Sequence, residues 1–534
     1  MTDRTTCISK SQGQPDSSNG LGDHVEAPLD LRREELPVQF SLFSTIALGF
    51  SMTNSWLGYS ATFVTPLLMG GSPAVFFGLI AASVASCFIT AGLAELASAY
   101  PSSSGQYHFA FMVSSPKYRP VVAFTMGWLS VVAWALTSAS TAIVCAQMIG
   151  NLASIYRPSY TAESWQTYLI YALLILIATA IVCLLPRALP KGEIVMFISS
   201  FLGFVASFIT VLATQNHKQS AAVVFLDYKN TSGWSDGTSF LIGLGTCMYA
   251  YLAIDGACHI AEELPNPSQD VPRAMGLTML IGVTTVIPWT LAFLFSATDT
   301  DAVASSSIPI YTIYLQATRS QPAATMLTVW ILFVYSGALV SCIVTTGRLA
   351  YAFARDEGLP YSKFFAQIHT KREAPVNATI GCAAIILLYG LIYIGSTTAF
   401  NSFISMSILS LNMTYAVPQA IVLVRGRDRI LPKRSFSLGR YLGPVCNAFS
   451  AFWVPFITII FCFPTSLPTT VSDMNYVSVV ISGITVLILI SWWGGKRKTF
   501  SGPKTEIQGL EVIMESDDMS SGITPSMSQK GNNA

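Results

Sequence analysis

The chain has 534 residues, of which 52% are hydrophobic, 12% aromatic and only 11% charged. Soluble domains carry charge on about 25% of their residues, so this composition excludes an ordinary soluble enzyme and favours a protein that crosses a membrane repeatedly. Lysine and arginine total 29 against 28 aspartates and glutamates. Because there is no basic surplus, the sequence gives no indication of a nucleic-acid partner.

Both ends of the chain are polar and lack periodicity, which predicts disordered tails at 1–38 and 495–534 around a membrane domain at 39–494. A bilayer core about 30 Å thick requires about 20 apolar residues per helix. Twelve segments meet this length, at about 40–66, 73–99, 120–148, 167–186, 194–214, 239–264, 275–297, 325–350, 377–395, 400–424, 445–464 and 475–493. The sequence therefore predicts an all-α integral membrane protein with twelve transmembrane helices, called spans 1 to 12 below.

Basic residues are distributed unequally between the two sides of the predicted membrane domain. The tails and the loops on their side hold 25 lysines and arginines, whereas the loops on the opposite side hold 4. Because basic residues are retained in the cytoplasm, we predict that both termini are cytoplasmic. We expect a multi-pass protein of the plasma membrane, with the vacuolar membrane as the alternative. One glycosylation sequon, at Asn230, falls in a predicted outer loop where it is open to modification.

Spans 1 and 6 carry small and polar residues near their midpoints, with the sequences GFSMTNS at 49–55 and YAYLAIDG at 249–256. Backbone groups released from a helix inside hydrocarbon must line a cavity or be buried in protein. Interrupted helices five positions apart are typical of two inverted five-helix repeats with a binding site at the bilayer midplane. The alternative interpretation is close packing of small residues between helices.

The two breaks therefore predict a transporter site between two inverted five-helix units. The predicted substrate-binding residues lie at the two breaks: Gly49, Ser51, Met52, Thr53, Asn54, Tyr249, Tyr251, Asp255 and Gly256.

Asp255 is the only acidic residue near the centre of a predicted span, where a carboxylate costs at least about 2.5 kcal/mol. Two functional roles fit: it binds an ammonium-bearing substrate, or it carries a proton. A structural role in holding the unwound backbone is the alternative. His259 lies four residues later, on the same helical face, and is a second proton-coupling candidate, although packing histidines are more frequent.

Tyr249 and Tyr251 point in different directions, so we expect one of them to reach the cavity and stack on a cationic amine. Glu95, near the end of span 2, is expected to be structural.

Several motifs of other protein classes are absent. The sequence has no GxxxxGK[ST] loop for a nucleotide, no histidine or cysteine pair at metal-ligand spacing, and no charged ring or repeated filter segment typical of a channel. The segment GWSDG at 233–237 matches GxSxG, but it lies in a short predicted loop without a surrounding α/β sheet, which favours a turn. We expect no enzymatic activity, no cofactor and no metal.

Four segments in chain order resemble the fungal amino acid/choline permease family, which includes GABA and choline permeases and belongs to the amino acid–polyamine–organocation superfamily. They are GFSMTNSW at 49–56, AELASAYP with GQY at 94–107, DGACHIAEE with NP and DVP at 255–272, and RDEGLP at 355–360. The resemblance covers about residues 40–495. Ser104 departs from the glycine usual in the family, in a predicted cytoplasmic loop away from the pocket.

The resemblance implies a 5+5 inverted-repeat core, with repeat one at about 40–214 and repeat two at about 239–424, and two accessory helices at about 445–493. It also implies alternating access driven by an ion gradient (usually protons) and substrate bound by the unwound stretches of spans 1 and 6. On this chain, the backbone amides of Ser51 to Asn54 would meet a substrate carboxylate beside a helix N-terminus. Asp255 occupies the acidic position of span 6. For choline, which lacks a carboxylate, aromatic faces would matter more.

The leading hypothesis is a secondary active, proton-coupled transporter of a small amine-bearing solute such as an amino acid, GABA or choline. Its partners would be that solute, protons and the lipid bilayer, without nucleotide or nucleic acid. Within transport, the alternative is movement or export of a specialised nitrogenous metabolite. From a different class, a non-transporting nutrient sensor is disfavoured because the tails are short and look disordered.

Overall fold

The structure, a computed structural model, describes residues 37–470 and 474–504, apart from the side chains at 398–399 and 401–404. These residues form helices and loops without a strand, and a single bridge joins His369 and Ala374. The predicted all-α class is confirmed. The predicted tails at 1–38 and 495–534 lie outside the described residues, except for 37–38 and 495–504.

Span 1 is built from three helical pieces: Leu42–Thr53, Ser55–Thr62 and the beginning of Val64–Ala99. The third piece leaves the helical conformation at Gly70 and Gly71, so that its first turns complete span 1 and the remainder forms span 2. Gly71 has a φ of 67°, which glycine adopts without steric cost. A side chain at Gly70 would collide with the ring of Tyr228.

The later spans follow in chain order: span 3 is Arg119–Tyr156, span 4 Ser164–Leu184, span 5 Leu189–Thr214, span 6 Asp236–Cys247 with the 3₁₀ helices Met248–Tyr251 and Gly256–Glu263, span 7 Pro267–Ser296, span 8 Gln321–Arg355, span 9 Val376–Gly390 with Ile392–Gly395, span 10 Thr397–Arg425, span 11 Gly439–Phe461 and span 12 Val477–Ser491. The connecting helices are Gln106–Val113, Pro186–Ala188, Ala221–Phe225, Thr300–Ala304, Pro309–Thr318, Ser362–Phe365, Arg427–Ile430, Trp492–Lys496 and Arg497–Thr499.

Eleven helical segments in the described part of the chain are long and apolar enough to cross a membrane. Span 1 is not among them as a separate segment, because its break leaves pieces of 12 and 8 residues and its last turns are continuous with span 2. With span 1 included, the structure has the twelve predicted spans. The division of these spans into two repeats and two accessory helices stays a prediction.

The two broken spans are attached to each other and to span 7. The backbone N–H groups of Gln39 and Phe40, just before span 1, each donate to the carbonyl oxygen of Glu263 at the end of span 6, at 3.2 Å. Gly49 brings span 1 against span 7, since a Cβ there would lie 2.9 Å from Oγ1 of Thr278. These contacts hold the breaks of spans 1 and 6 beside one another.

Both described ends of the chain lie on one side of the bundle, called the tail side below. Residues 39–40 contact Glu263 there, and the backbone N–H of Lys504 donates to Oδ1 of Asp356 at 3.1 Å. The ring of Phe500 is buried and packs against Phe353 at a centroid distance of 5.9 Å. The packed chain therefore continues past the predicted boundary at 494, because an apolar residue beyond the charged end of span 12 finds an aromatic pocket.

Candidate functional site

Span 1 is interrupted at a single residue, Asn54, which has φ 30° and ψ 60° in the left-handed region. Its N–H closes the first helix by donating to the Phe50 carbonyl at 2.7 Å, and its own carbonyl accepts from Leu57 and Gly58 at 2.9 and 2.8 Å. Asparagine tolerates this conformation better than most residues. The first N–H groups of the second helix and the last carbonyls of the first therefore lose their intrahelical partners.

Span 6 is interrupted between Tyr251 and Asp255. Leu252 is extended, with φ −62° and ψ 149°, and Ala253 has a φ of 67°. A left-handed alanine costs about 1–2 kcal/mol, and such strain persists only where the surrounding structure enforces it. The predicted breaks near the midpoints of spans 1 and 6 are both confirmed.

A cavity lies between the two breaks and takes its lining from spans 1, 3, 6 and 8. The lining residues are Met52, Thr53, Asn54, Leu57, Gly58, Thr137, Thr141, Tyr249, Leu252, Ala253, Tyr335 and Ala338. The space open to the centres of water molecules is about 20 Å³, and one water needs about 10–15 Å³. The cavity is therefore closed around little more than a single water, and a larger guest requires the spans to move apart.

The lining is neutral but contains polar groups without protein partners. Of the described residues that line the cavity, none is charged. Oγ1 of Thr53 and Nδ2 of Asn54 are buried and have no hydrogen-bond partner within the described chain. An unsatisfied buried polar group costs about 1–3 kcal/mol, which a guest with hydrogen-bonding atoms would recover. The hydroxyl of Tyr249, by contrast, is paired with Oγ of Ser140 at 3.0 Å.

The side chain of Asn54 is oriented by span 5. Oγ of Ser200 donates to Oδ1 of Asn54 at 2.9 Å and accepts from Nε1 of Trp56 at 3.1 Å. These two hydrogen bonds occupy the amide oxygen of Asn54 and leave its NH₂ group free. The break in span 1 thus presents a hydroxyl and an amide donor to the cavity.

Asp255 is fully buried but is not among the cavity-lining residues. Its Oδ1 accepts from the hydroxyl of Tyr415 in span 10 at 2.5 Å. Its Oδ2 accepts from Nε2 of Gln106 at 2.7 Å and from Nε1 of Trp134 in span 3 at 3.2 Å. The carboxylate therefore joins spans 3, 6 and 10 to the helix after span 2, on the tail side of the cavity.

His259 is the fourth side chain that contacts Asp255, and the geometry of its ring requires a proton between the two residues. Its Nε2 lies 3.0 Å from Oδ2 of Asp255, and its Nδ1 lies 3.2 Å from the Ser103 carbonyl. A carbonyl only accepts hydrogen bonds, so Nδ1 carries a hydrogen and a neutral ring would have none at Nε2. The contact with Asp255 therefore requires one additional proton, either on the ring or on the carboxyl group.

The remaining predicted residues surround the cavity without lining it. Gly49 allows contact with Thr278 of span 7, as described above. Gly256 makes room for Met52, because a Cβ there would collide with the methionine methyl group. The Tyr251 hydroxyl is paired with Oγ of Ser83 in span 2 at 2.5 Å, so the expectation that one of the two tyrosines reaches the cavity holds for Tyr249. Ser51 lies beside Glu193 of span 5.

Ion pairs close the tail side below the cavity. Arg348 of span 8 contacts both carboxylate oxygens of Glu263 in span 6, with an Nη2–Oε2 distance of 3.0 Å. Arg355 contacts both oxygens of Glu262 at 2.9 and 3.1 Å. These four residues connect the end of span 6 to the end of span 8.

Glu95 has the structural environment that the sequence predicts. It accepts from Nη2 of Arg427 and from Nη2 of Arg434, each at 2.6 Å, and from the N–H of Leu438 at 3.2 Å. These contacts attach the end of span 2 to the loop between spans 10 and 11. No part of this group lines the cavity.

Asp356 follows span 8 and is buried under the last described residues. Burial raises the pKa of its carboxyl group to about 6, although Arg355 and the Tyr107 hydroxyl both act in the opposite direction. The Tyr107 hydroxyl donates to Oδ2 at 2.8 Å. The group thus titrates close to neutral pH on the tail side.

Asn230 lies in the loop before span 6. Its Nδ2 donates to the Trp234 carbonyl at 2.7 Å and to Oδ1 of Asp236 at 3.0 Å, and its Oδ1 accepts from the Ser232 hydroxyl at 2.7 Å. The sequon side chains therefore stabilise the folded loop. Glycosylation of Asn230 stays a prediction.

Sequence reasoning missed the cavity residues of spans 3 and 8, namely Thr137, Thr141, Tyr335 and Ala338. It also missed Gln106, Trp134 and Tyr415 as partners of Asp255, and the buried Glu193. The apolar spans carry no sequence signal for the face that meets the cavity. Glu193 escaped notice because span 5 begins at Leu189 and not at the predicted 194.

Comparison with known proteins assigns the chain to a family. The family model described as amino acid permease matches residues 40–487. The choline transporter of Saccharomyces cerevisiae is 32% identical, over 96% of this chain and 94% of its own length.

Other relatives have different names. The swainsonine transporter of Arthroderma benhamiae is 29% identical, over 86% of this chain and 91% of its own. The amino-acid permease BAT1 of Arabidopsis thaliana is 26% identical, over 89% of this chain and 95% of its own. The chain therefore belongs to the amino acid permease family and is a multi-pass membrane transporter of a small solute, not an enzyme.

Proposed function

We propose that the chain is a proton-coupled secondary active transporter that binds a small amine-bearing solute, an amino acid or choline, between the breaks of spans 1 and 6. One observation carries the proposal: two opposed breaks enclose a cavity in which Thr53 and Asn54 present polar groups without protein partners. Unpaired polar groups that line the cavity of a transporter recover their hydrogen bonds when a guest with polar atoms binds there.

The two solute classes would use different parts of the cavity. The carboxylate of an amino acid would accept from the Thr53 hydroxyl, the Asn54 amide and the free N–H groups at the start of the second helix of span 1, where the helix dipole favours an anion. A quaternary amine has no acceptor for those donors and would lie against the Tyr249 ring through cation–π attraction. The neutral lining suits both solutes, and the name of the yeast relative supports choline.

Asp255 acts in this proposal as the residue that organises the closed tail side. Four hydrogen-bonding side chains, from three spans and from the helix after span 2, surround it, so opening that side requires its hydrogen bonds to be exchanged. The additional proton that it shares with His259 keeps the pair a proton-coupling candidate. The pairs of Glu263 with Arg348 and Glu262 with Arg355 would separate in the same movement.

We place the tail side in the cytoplasm, because the predicted loops on that side hold 25 of the basic residues against 4 opposite. The plasma membrane is the proposed location. The relatives are named as transporters and permeases, which disfavours a sensor without transport. Export of a specialised nitrogenous metabolite is not favoured either, although one relative is named a swainsonine transporter.

Uptake of radiolabelled choline and GABA into cells that lack their own permeases tests the proposal. We expect one of the two solutes to accumulate and a protonophore to abolish the accumulation. Accumulation that persists after the proton gradient has collapsed would contradict proton coupling. Absence of uptake of both solutes, with the chain present at the cell surface, would contradict the solute assignment.

A further inference from the structure

Glu193 differs from Glu95, Asp255 and Glu263, three other carboxylates buried in the bundle, because it has neither an arginine nor several hydrogen-bond donors beside it. It is 3% exposed and lies in the second turn of span 5. Glu95 and Glu263 are neutralised by arginines, and Asp255 has four hydrogen-bonding partners. Within the described chain, no lysine or arginine lies within ion-pairing distance of Glu193.

The hydroxyl of one serine lies within hydrogen-bonding distance of both oxygens of this carboxylate. Oγ of Ser341 in span 8 lies 2.8 Å from Oε1 and 2.8 Å from Oε2 of Glu193, and 3.2 Å from the Gly337 carbonyl. One hydroxyl has one hydrogen, so Ser341 gives an ionised Glu193 at most one hydrogen bond, and Ser51 is the other hydroxyl that lies beside it. Burial of a carboxylate with so few donors is costly.

A proton on Glu193 satisfies the same atoms. The carboxyl O–H then donates to Oγ of Ser341, and the serine hydrogen turns to the Gly337 carbonyl of its own helix. Every hydrogen in the group has an acceptor in this arrangement. The observed geometry is therefore suited to the neutral acid.

The charged and titratable groups that act on Glu193 come from span 8. They are Arg348, whose guanidinium is already held by Glu263, and the thiol of Cys342. Span 1 contributes the neutral Ser51. Among the described residues, span 7 places no charged group against Glu193.

Glu193 is also directly connected to the cavity walls. Ser51 immediately precedes Met52, and Ser341 lies one helical turn after Ala338; both Met52 and Ala338 line the cavity. The packing of span 1 and span 8 on Glu193 therefore depends on whether that group is charged. A shift of either span changes the space open to a solute.

We propose that Glu193 binds the coupled proton, a step that rests on the proton-driven transport proposed above. The proton passes from water to an oxygen of the Glu193 carboxylate when the site is open to one side. It returns to water when the site is open to the other side, and no electron transfer or covalent bond to the solute is involved. The neutral acid stabilises the closed arrangement with Ser341, and the carboxylate favours movement of span 1 away from it.

Infrared difference spectroscopy on the purified full-length chain tests proton binding without any solute. Spectra recorded across pH 5 to 8, about the range in which a buried carboxyl titrates, should contain a carboxylic-acid C=O band that Glu193→Gln lacks. Glu193→Asp should retain a titrating band at a shifted frequency. Glu373→Gln, which changes a surface carboxylate paired with Arg187, should leave the spectrum as in the wild type. An unchanged band in Glu193→Gln would overturn the proposal.

Transport in proteoliposomes tests the coupling, with choline and GABA as the probes. We expect Glu193→Gln to retain exchange of internal for external solute, at a lower rate because a neutral side chain stabilises the closed arrangement. Accumulation driven by a proton gradient should fall by about tenfold or more. Accumulation by Glu193→Gln at the wild-type level would overturn the proposal, as would accumulation driven by a sodium gradient alone. If Asp255→Asn abolishes proton-driven accumulation while Glu193→Gln retains it, the coupled proton belongs to Asp255 and His259.

Failure of the proposed transport function and failure of the proposed role of Glu193 give different results. If the wild type moves neither probe, the proposed function fails for those solutes, and the infrared spectra still decide whether Glu193 binds a proton. If the wild type accumulates a probe and Glu193→Gln does so equally, the proposed function stands and the role of Glu193 is wrong.

Discussion

The cavity between the two breaks and the cluster around Asp255 differ in how their polar groups are satisfied. The cavity contains no charge among the described residues and leaves Oγ1 of Thr53 and Nδ2 of Asn54 without partners. The cluster contains a carboxylate and satisfies it with four side chains from different parts of the chain. The difference indicates that Asp255 in span 6 holds helices together, and under the proposed function recognition of the solute is left to neutral groups.

Replacement of Asp255 is expected to have the largest effect, because it tests whether this residue holds the spans together. Asp255→Ala would leave four buried side chains without their common hydrogen-bond partner, and we expect the free energy of unfolding to fall by about 3–5 kcal/mol. Thermal melting of the detergent-solubilised chain measures the loss. Asp428→Ala, at an exposed position of the short helix Arg427–Ile430, serves as the control. A melting temperature equal to that of the control would show that the cluster does not hold the spans together.

The tail side provides a second, pH-dependent test. The pKa of Asp356 is raised to about 6 by burial, so the folded chain binds this proton more tightly than the unfolded chain. The associated stability is complete below the ordinary pKa of an aspartate, about 4, and is lost as the pH rises through about 6. We expect the melting temperature of the wild type to fall relative to that of Asp356→Asn between these values. Parallel melting curves across that range would contradict the assignment.

On the cavity side, Thr53→Val removes a hydroxyl while keeping the shape of the side chain. We expect the apparent affinity for an amino acid to weaken by about 1–3 kcal/mol, because the guest loses a donor, while the melting temperature stays unchanged or rises. Thr284→Val is a matched control, since that hydroxyl is exposed and donates to its own helix. Equal uptake kinetics for the two variants would argue against a role for Thr53 in recognition.

The aromatic side of the cavity separates the two solute classes. Tyr249→Phe keeps the ring and should retain uptake of choline, whereas Tyr249→Leu should weaken it by about 0.5–2 kcal/mol through loss of cation–π attraction. Uptake kinetics of each variant provide the measurement. If the phenylalanine and leucine variants transport choline equally well, the ring does not contact the ammonium group.

The sequence predicts both breaks because their signal is local. Small and polar residues stand out within an apolar run, and a helix broken inside hydrocarbon needs no distant contact to be noticed. Helical periodicity also predicts that Tyr249 and Tyr251 point in different directions. The first lines the cavity and the second contacts Ser83.

The position of Asp255 relative to the cavity was not predictable in the same way. The cost of a buried carboxylate identifies it as special, but its partners come from residues as distant in sequence as Gln106, Trp134 and Tyr415. Likewise, spans 3 and 8 are apolar on most faces, so the sequence does not indicate that Thr137 and Tyr335 face the cavity. These features depend on long-range packing.

Site-directed labelling of the cavity is the most direct test of the claim that the breaks of spans 1 and 6 enclose the solute. Ala338→Cys introduces a thiol in the cavity lining, and Met326→Cys introduces one on the exposed surface of the same span. We predict that choline or GABA, whichever is transported, slows modification of Ala338→Cys by a small thiol reagent and leaves Met326→Cys unaffected. If a transported solute leaves the modification of Ala338→Cys unchanged, the solute binds elsewhere and the account is contradicted.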